Sequence, residues 1–196
     1  MSPAESAAAK SAARAGEEPR LADLLALTPQ AVDAADALLA KARASVFALV
    51  AKDGKVSAAA IEREQFAVHG FAWMATYVEA LRQMAAYAAH MSGEKRLGEF
   101  EALLVQAAFG EYLNQLAGGI PMSQGETVRP ADLGLTEEDV AAFRAAPAVR
   151  RLASAGFTTA VRARLAELIA ANAGAATFGD TGLEETYDAI RDQMRR

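Results

Sequence analysis

Few residues in this chain are of types that make or break bonds, and their spacing gives them little to act with. His69 and His90 are its two histidines, and neither follows a carboxylate by three residues. The Glu-x-x-His pairs of a di-iron bundle and the His-Glu-x-x-His zinc motif are therefore absent, and no metal site is expected. With no cysteine in the chain, disulfides, thiolate zinc sites, iron-sulfur clusters and a cysteine nucleophile are excluded together. No Gly-x-x-x-x-Gly-Lys loop or Gly-x-Gly-x-x-Gly turn offers a phosphate cradle. His69 lies one helical turn before Trp73 with no nucleophile to serve, so an ordinary hydrogen-bonded surface or interface histidine is expected rather than a catalytic one. No residue is assigned a catalytic role.

Two further features border on chemistry. Glu111 follows the apolar run FEALLVQAAFG near the buried side of its helix. Burial would raise its pKa and make it a base, but glutamate is rarely buried alone, so a paired or edge residue is the expectation. The sharper feature is Gln115-Leu-Ala-Gly118-Gly119-Ile-Pro-Met122 at a helix end. Paired glycines let a backbone or ligand approach closely, and the N–H groups after them can meet a phosphate or another subunit. The plainer reading is a helix terminator followed by a turn. Gln115, Gly118 and Gly119 stand as candidate binding residues with both readings open.

The elements that must position these residues read as helices. The 196 residues include 50 alanines, the best helix former and a poor strand former. Leu21 to Leu27 is a short apolar segment, after which Thr28 is the expected N-cap and Pro29 the first residue of a helix that ends at Asp53-Gly54. Ser57 opens the longest helix, to about Met91, where Gly70, Met74, Tyr77, Leu81, Met84, Ala88 and Met91 keep a 4-3 spacing. Leu97 to Leu113 marks another, stopped by Gly118-Gly119. Residues 118 to 135 break every periodicity and form the one substantial irregular loop. Thr136 caps a short helix, Glu137 to Ala146, and Pro147 starts one that runs to about Asn172. A final pattern, Leu183, Tyr187, Ile190 and Met194, continues to the last residues without a cap.

The expected fold is an all-α bundle of about four long helices plus short ones. Residues 1–19, without a large apolar residue after Met1, form a disordered tail, and 20–175 form the bundle. Residues 176–196 are expected to be a linker and the start of something longer. The net charge of −5 comes from 20 basic residues interspersed among 25 acidic ones, so nucleic-acid binding has no electrostatic footprint. Runs without charge reach only about 12 to 14 residues, short of the roughly 20 a membrane helix requires. No nucleic-acid or membrane partner is expected.

The stretches KVSAAAIEREQFAVHGFAWMATYVEALRQM and GEYLNQLAGGIPMSQGETVRPADLGL resemble the amino-terminal extension of the bacterial (2S)-methylsuccinyl-CoA dehydrogenases, acyl-CoA dehydrogenases of the ethylmalonyl-CoA pathway. The terminal TGLEETYDAIRDQMRR is similar to the first helix of an acyl-CoA dehydrogenase core. The resemblance implies a parent flavoprotein that holds FAD, oxidises methylsuccinyl-CoA to mesaconyl-CoA, passes electrons to electron-transfer flavoprotein, forms a homo-oligomer and works in the cytoplasm. It implies that this chain is the accessory leading part, joined to the rest of that polypeptide, with the catalytic glutamate elsewhere and no cofactor of its own. Gln115-x-x-Gly118-Gly119 resembles a flavin-contacting segment of the superfamily's helical domain, with Pro121-Met122 where that segment has Gly-Tyr. The extension would then be a degenerate copy of that domain. The other expectation is a stand-alone helical interaction module without enzymatic activity.

Overall fold

The structure, a computed structural model, describes residues 19–171 and 185–194. The expected tail lies almost wholly outside the described residues, as does the expected boundary at 175 and 176. The described residues fall into two units, one up to Leu165 and one from Ala166 on.

The described residues are all-α apart from two short hairpins. Among the described residues eight α-helices follow in order: α1 (Leu24–Val50), α2 (Ala58–Arg63), α3 (Gln65–Gly93), α4 (Glu99–Gly118), α5 (Glu137–Ala145), α6 (Pro147–Ala155), α7 (Thr159–Ala171) and α8 (Glu185–Met194). Antiparallel strands β1 (Ala51–Lys52) and β2 (Lys55–Val56) follow α1, and β3 (Ile120–Pro121) and β4 (Thr127–Val128) follow α4. A 3-10 turn, Pro130–Leu133, leads towards α5.

In the first unit α1 lies along α3, and α4 is held between α3 and α6. Their shared core contains Met74, Val78 and Leu81 of α3, Leu103, Phe109 and Leu113 of α4, and Val149 and Leu152 of α6, each fully or almost fully buried. Truncating a side chain such as Phe109 at such a site costs about 3–5 kcal/mol, because a cavity remains after the transfer energy is lost. Alanines at Ala31, Ala35 and Ala42 bring the α1 backbone close to its neighbours.

Polar groups clip α4 in place. Leu21 N–H donates to Gln106 Oε1 (2.7 Å), and Gln106 Nε2 donates to the carbonyls of Pro19 (2.7 Å) and Ala155 (3.4 Å). Asn114 Nδ2 donates to Gly110 O and to Ala153 O of α6 (2.8 and 2.9 Å). Arg144 of α5 donates to the Ala117 carbonyl (2.8 Å) near the end of α4. An arginine there satisfies a carbonyl the helix leaves open and opposes its dipole.

Several element ends differ from expectation. Thr28 and Pro29 lie inside α1, which begins five residues before the proline. Thr28 is buried rather than capping, and Leu24, buried with it, extends the helix because tertiary burial outweighs the lost hydrogen bond near the helix start. Asp53 and Gly54 do not cap α1. With φ of 52° and 75° they turn the β1–β2 hairpin, the positive-φ pair that a tight two-residue hairpin turn demands. Ser57 caps a helix as expected, its hydroxyl accepting from Ala60 N–H, but that helix breaks at Glu64 without a glycine or proline to mark the step. The helix expected over 147–172 is two, α6 and α7, separated by Gly156, Phe157 and Thr158. Thr158 caps α7 by accepting from Val161 N–H (3.2 Å). The irregular loop over 118–135 contains the β3–β4 hairpin and the 3-10 turn.

Within the second unit, α8 bears Tyr187, Ile190 and Met194 as exposed side chains. Leu183 lies outside the described residues. Among the described residues no helix is long and apolar enough to cross a membrane.

Candidate functional site

The candidate residues from sequence meet at the carboxy-terminal half of α4 and its edge with α3. Gln115 Nε2 donates to Glu111 Oε1 (2.6 Å), one turn earlier on the same helix. This bond orients the amide, and it leaves Gln115 Oε1 buried without a hydrogen-bond donor. A buried acceptor left unpaired is uncommon, since it loses water without recovering a partner. Glu111 is half-buried and paired, which matches the edge position expected of it.

The two glycines act differently. Gly118 ends α4, and a Cβ placed on it would meet nothing within 4 Å. Gly119 has φ of 143°, a conformation that side-chain-bearing residues rarely adopt, and a Cβ there would lie 2.8 Å from Thr127 Cγ2 on β4. Its N–H donates to the Gln115 carbonyl (2.7 Å), and Met122 N–H donates to Glu126 O (2.9 Å). These N–H groups, which from sequence could have met a phosphate, are engaged within the chain. The terminator-and-turn reading describes their geometry.

A row of rings runs along α3 and crosses to α4 at Tyr112, on the same helix as Gln115. His69, Trp73 and Tyr77 are successive turns of α3, and Tyr112 of α4 stacks on Tyr77 with ring centroids 4.4 Å apart and planes 24° from parallel. Trp73 meets Tyr77 and His69 edge-on, at 6.4 and 6.3 Å. Trp73 Nε1–H donates to His69 Nε2 (3.0 Å). The imidazole lone pair on Nε2 is therefore occupied, and a neutral His69 carries its proton on Nδ1. The Tyr77 phenol is pushed above its ordinary pKa, first by burial and then by the neighbouring Tyr112 and Glu111.

The structure thus brings Gln115, Glu111 and Gly119 to one helix end, with His69 and Trp73 on the facing helix. Tyr112 was not singled out from sequence. Its partner Tyr77 was read only as a core position, because a stripe along one helix does not reveal which ring of another will stack on it. Chemically the arrangement is a half-buried row of aromatic rings, one pair stacked and the others edge-on, with an oriented amide on the same helix as Tyr112. Among the described residues no group of three or more His, Asp or Glu side chains could hold a metal ion.

No family model matches the chain. Over 179 residues it is 51% identical to the (2S)-methylsuccinyl-CoA dehydrogenase of Cereibacter sphaeroides, an alignment that takes in 91% of this chain and 32% of that protein. The paired glycines, the aromatic edge and the core of the first unit all lie in a chain that spans about a third of the length of the curated relative it matches. Over nine-tenths of its own length, then, the chain is related in sequence to a (2S)-methylsuccinyl-CoA dehydrogenase.

Proposed function

We propose that this chain is the amino-terminal helical region of an FAD-dependent acyl-CoA dehydrogenase, and that its role there is structural. The observation that carries the reading is 51% identity sustained over 179 residues. The parent would oxidise (2S)-methylsuccinyl-CoA to mesaconyl-CoA in the cytoplasm as a homo-oligomer and pass electrons to electron-transfer flavoprotein. The flavin and the catalytic base would belong to the rest of that polypeptide. Two features of the candidate site support a structural role: the Nε2 lone pair of His69 is taken by Trp73, and the Gly119 N–H is taken by the end of α4. Gln115, Gly118 and Gly119 would be a retained helix end whose similarity to a flavin-contacting segment is ancestral, and residues 20–175 would form one accessory domain.

The test is an exchange. Replacing the matching third of the Cereibacter enzyme with this chain should leave a flavin-loaded enzyme that still reduces an electron acceptor with methylsuccinyl-CoA. An exchanged enzyme that folds and holds FAD but has no activity would overturn the structural reading. So would a purified 196-residue chain that binds FAD through the Gln115–Gly119 helix end, shown by flavin binding that Gln115→Ala abolishes and Arg151→Ala does not.

A stand-alone helical interaction module is the second reading, favoured by a contiguous hydrophobic core whose buried members run from Leu21 to Leu152. It predicts that the chain binds a partner unrelated to dehydrogenases and that the exchanged enzyme fails to assemble.

A further inference from the structure

Where the described chain begins at Pro19, a cavity of about 600 Å³ opens between that segment, the end of α6 and the start of α7. Arg20, Arg151, Phe157, Thr158, Thr159 and Arg162 are among its lining residues. Its walls are held from beneath. Gln106, fully buried, fixes Pro19 and Leu21 on one side and the Ala155 carbonyl on the other through the three hydrogen bonds described above. The cavity therefore has a defined shape before anything enters it.

Its charge runs against that of the protein. In a chain of net charge −5, three arginines converge here, and neither Arg151 nor Arg162 is paired with a carboxylate among the described residues. The carboxylate that senses Arg20 is Glu99, and both Glu99 oxygens are already gripped by the Arg164 guanidinium at 2.7 Å. Arg162 lies over the exposed Phe157 ring, 5.2 Å from guanidinium carbon to centroid. At the start of the 13-residue helix α7, Thr158 takes the Val161 N–H, and the N–H groups of Thr159 and Ala160 have no acceptor among the described residues.

We propose that this cavity binds an organic phosphate bearing a planar ring, a ligand of the nucleotide class. Arginine guanidinium groups match phosphate oxygens in planar, paired hydrogen bonds, and Arg20 of the Pro19 segment and Arg151 of α6 both line the cavity. The first turn of α7 adds N–H donors of the same sense. A bare phosphate would leave most of the volume empty, whereas cavities of this size suit a ligand with an organic body. The Phe157–Arg162 stack offers that body a flat face. The site is separate from the α3–α4 edge and does not depend on the dehydrogenase reading.

Calorimetric titration of the full 196-residue chain with ADP, and separately with inorganic phosphate, tests it. The expected result is saturable single-site ADP binding, with inorganic phosphate weaker by about tenfold or more. Arg151→Ala and Arg162→Ala should each weaken ADP binding about tenfold, as the loss of one charge-assisted hydrogen bond or stacking contact implies. Phe157→Leu should narrow the gap between ADP and phosphate, and Arg150→Ala, outside the cavity, should change nothing. All are surface substitutions, and unchanged far-ultraviolet circular dichroism checks that they fold. Absence of saturable ADP binding overturns the proposal, as does binding indifferent to Arg151 and Arg162, or phosphate binding as tight as ADP. Glu17→Ala/Glu18→Ala removes the acidic pair that precedes Pro19; ADP binding that emerges only in this variant would mean the chain's own carboxylates fill the site, and would also overturn it.

Discussion

Gly110 of α4 and Gly156 at the α6–α7 junction meet backbone to backbone: a Cβ on Gly110 would stand 2.9 Å from the Gly156 Cα, and one on Gly156 would stand 2.8 Å from the Gly110 Cα. No side chain fits between them. The contact lets α6 lie on α4 closely enough for Gln106 and Asn114 to reach carbonyls across the seam.

Gly110→Ala should therefore destabilise the protein by about 1–3 kcal/mol, the cost of overpacking a rigid contact, even though alanine is the better helix former. Gly118→Ala provides the opposite sign. A Cβ there meets open space, so helix propensity alone acts and stability should rise by roughly 0.5–1 kcal/mol or hold level. Urea midpoints of the two variants, compared at equal m-values, check the pair. A stable Gly110→Ala protein would show that the seam yields.

Gln106→Leu keeps the side-chain volume but leaves the Leu21 N–H and the Pro19 carbonyl without their partner. A loss of about 1–3 kcal/mol is expected, the penalty for stranding buried polar groups. Hydrogen exchange distinguishes this from a general loosening: the Leu21 amide should exchange much faster in the variant, while amides in the middle of α3 should slow or quicken only with global stability.

Asp139 gives the fold an acid-sensitive lock. Its carboxylate accepts from Lys41 of α1 (2.5 Å) and closes a reciprocal cap with Thr136, whose N–H and hydroxyl both donate to it. The Lys41 hydrogen bond first, then those from Thr136, hold its pKa at about 2 against an ordinary 3.8. A carboxyl depressed in the folded state adds stability that is complete above the unfolded value and lost as pH falls from about 3.8 towards about 2. Glu99, lowered chiefly by its Arg164 hydrogen bonds, acts in the same direction. Asp139→Asn should flatten the acid limb of the stability profile over that window, measured by thermal melts across the pH range. An unchanged limb would remove Asp139 from the account.

Tyr77 should ionise late. Its phenol is raised by burial and by Tyr112 and Glu111, and Tyr87 is raised too, by burial and then by Glu101. Since the unfolded chain ionises these phenols first, stability should decline as pH climbs above about 10. In a spectrophotometric alkaline titration, Tyr77→Phe should remove one of the late-titrating phenols and leave the other. Loss of an early phase would contradict the stacking geometry.

How legible the structure was depended on the range of the forces involved. The Thr136 cap and helix α5 were readable because Thr136, Glu137, Glu138 and Asp139 act within one turn. The end of α4 at Gly118 was readable for the same reason. Pro29 misled, since its local signal for a helix start is weaker than the burial of Leu24 and Thr28 that carries α1 past it. The break at Gly156 had a local mark in Gly-Phe-Thr-Thr, where a glycine precedes a threonine cap, yet its cause is Gly110, 46 positions earlier in the chain.

By itself the sequence determined an all-helical chain without thiol or metal-motif chemistry, and most of its helix ends, because propensity, capping and 3.6-residue periodicity are set by neighbours a few positions apart. Only the tertiary structure decided that Gln106 is a buried clamp, that Tyr112 stacks on Tyr77, and that Arg20 shares a cavity with Arg151 and Arg162. Those relationships join residues far apart in the chain, and they arise when helices dock along their apolar faces and bring the polar remainder together.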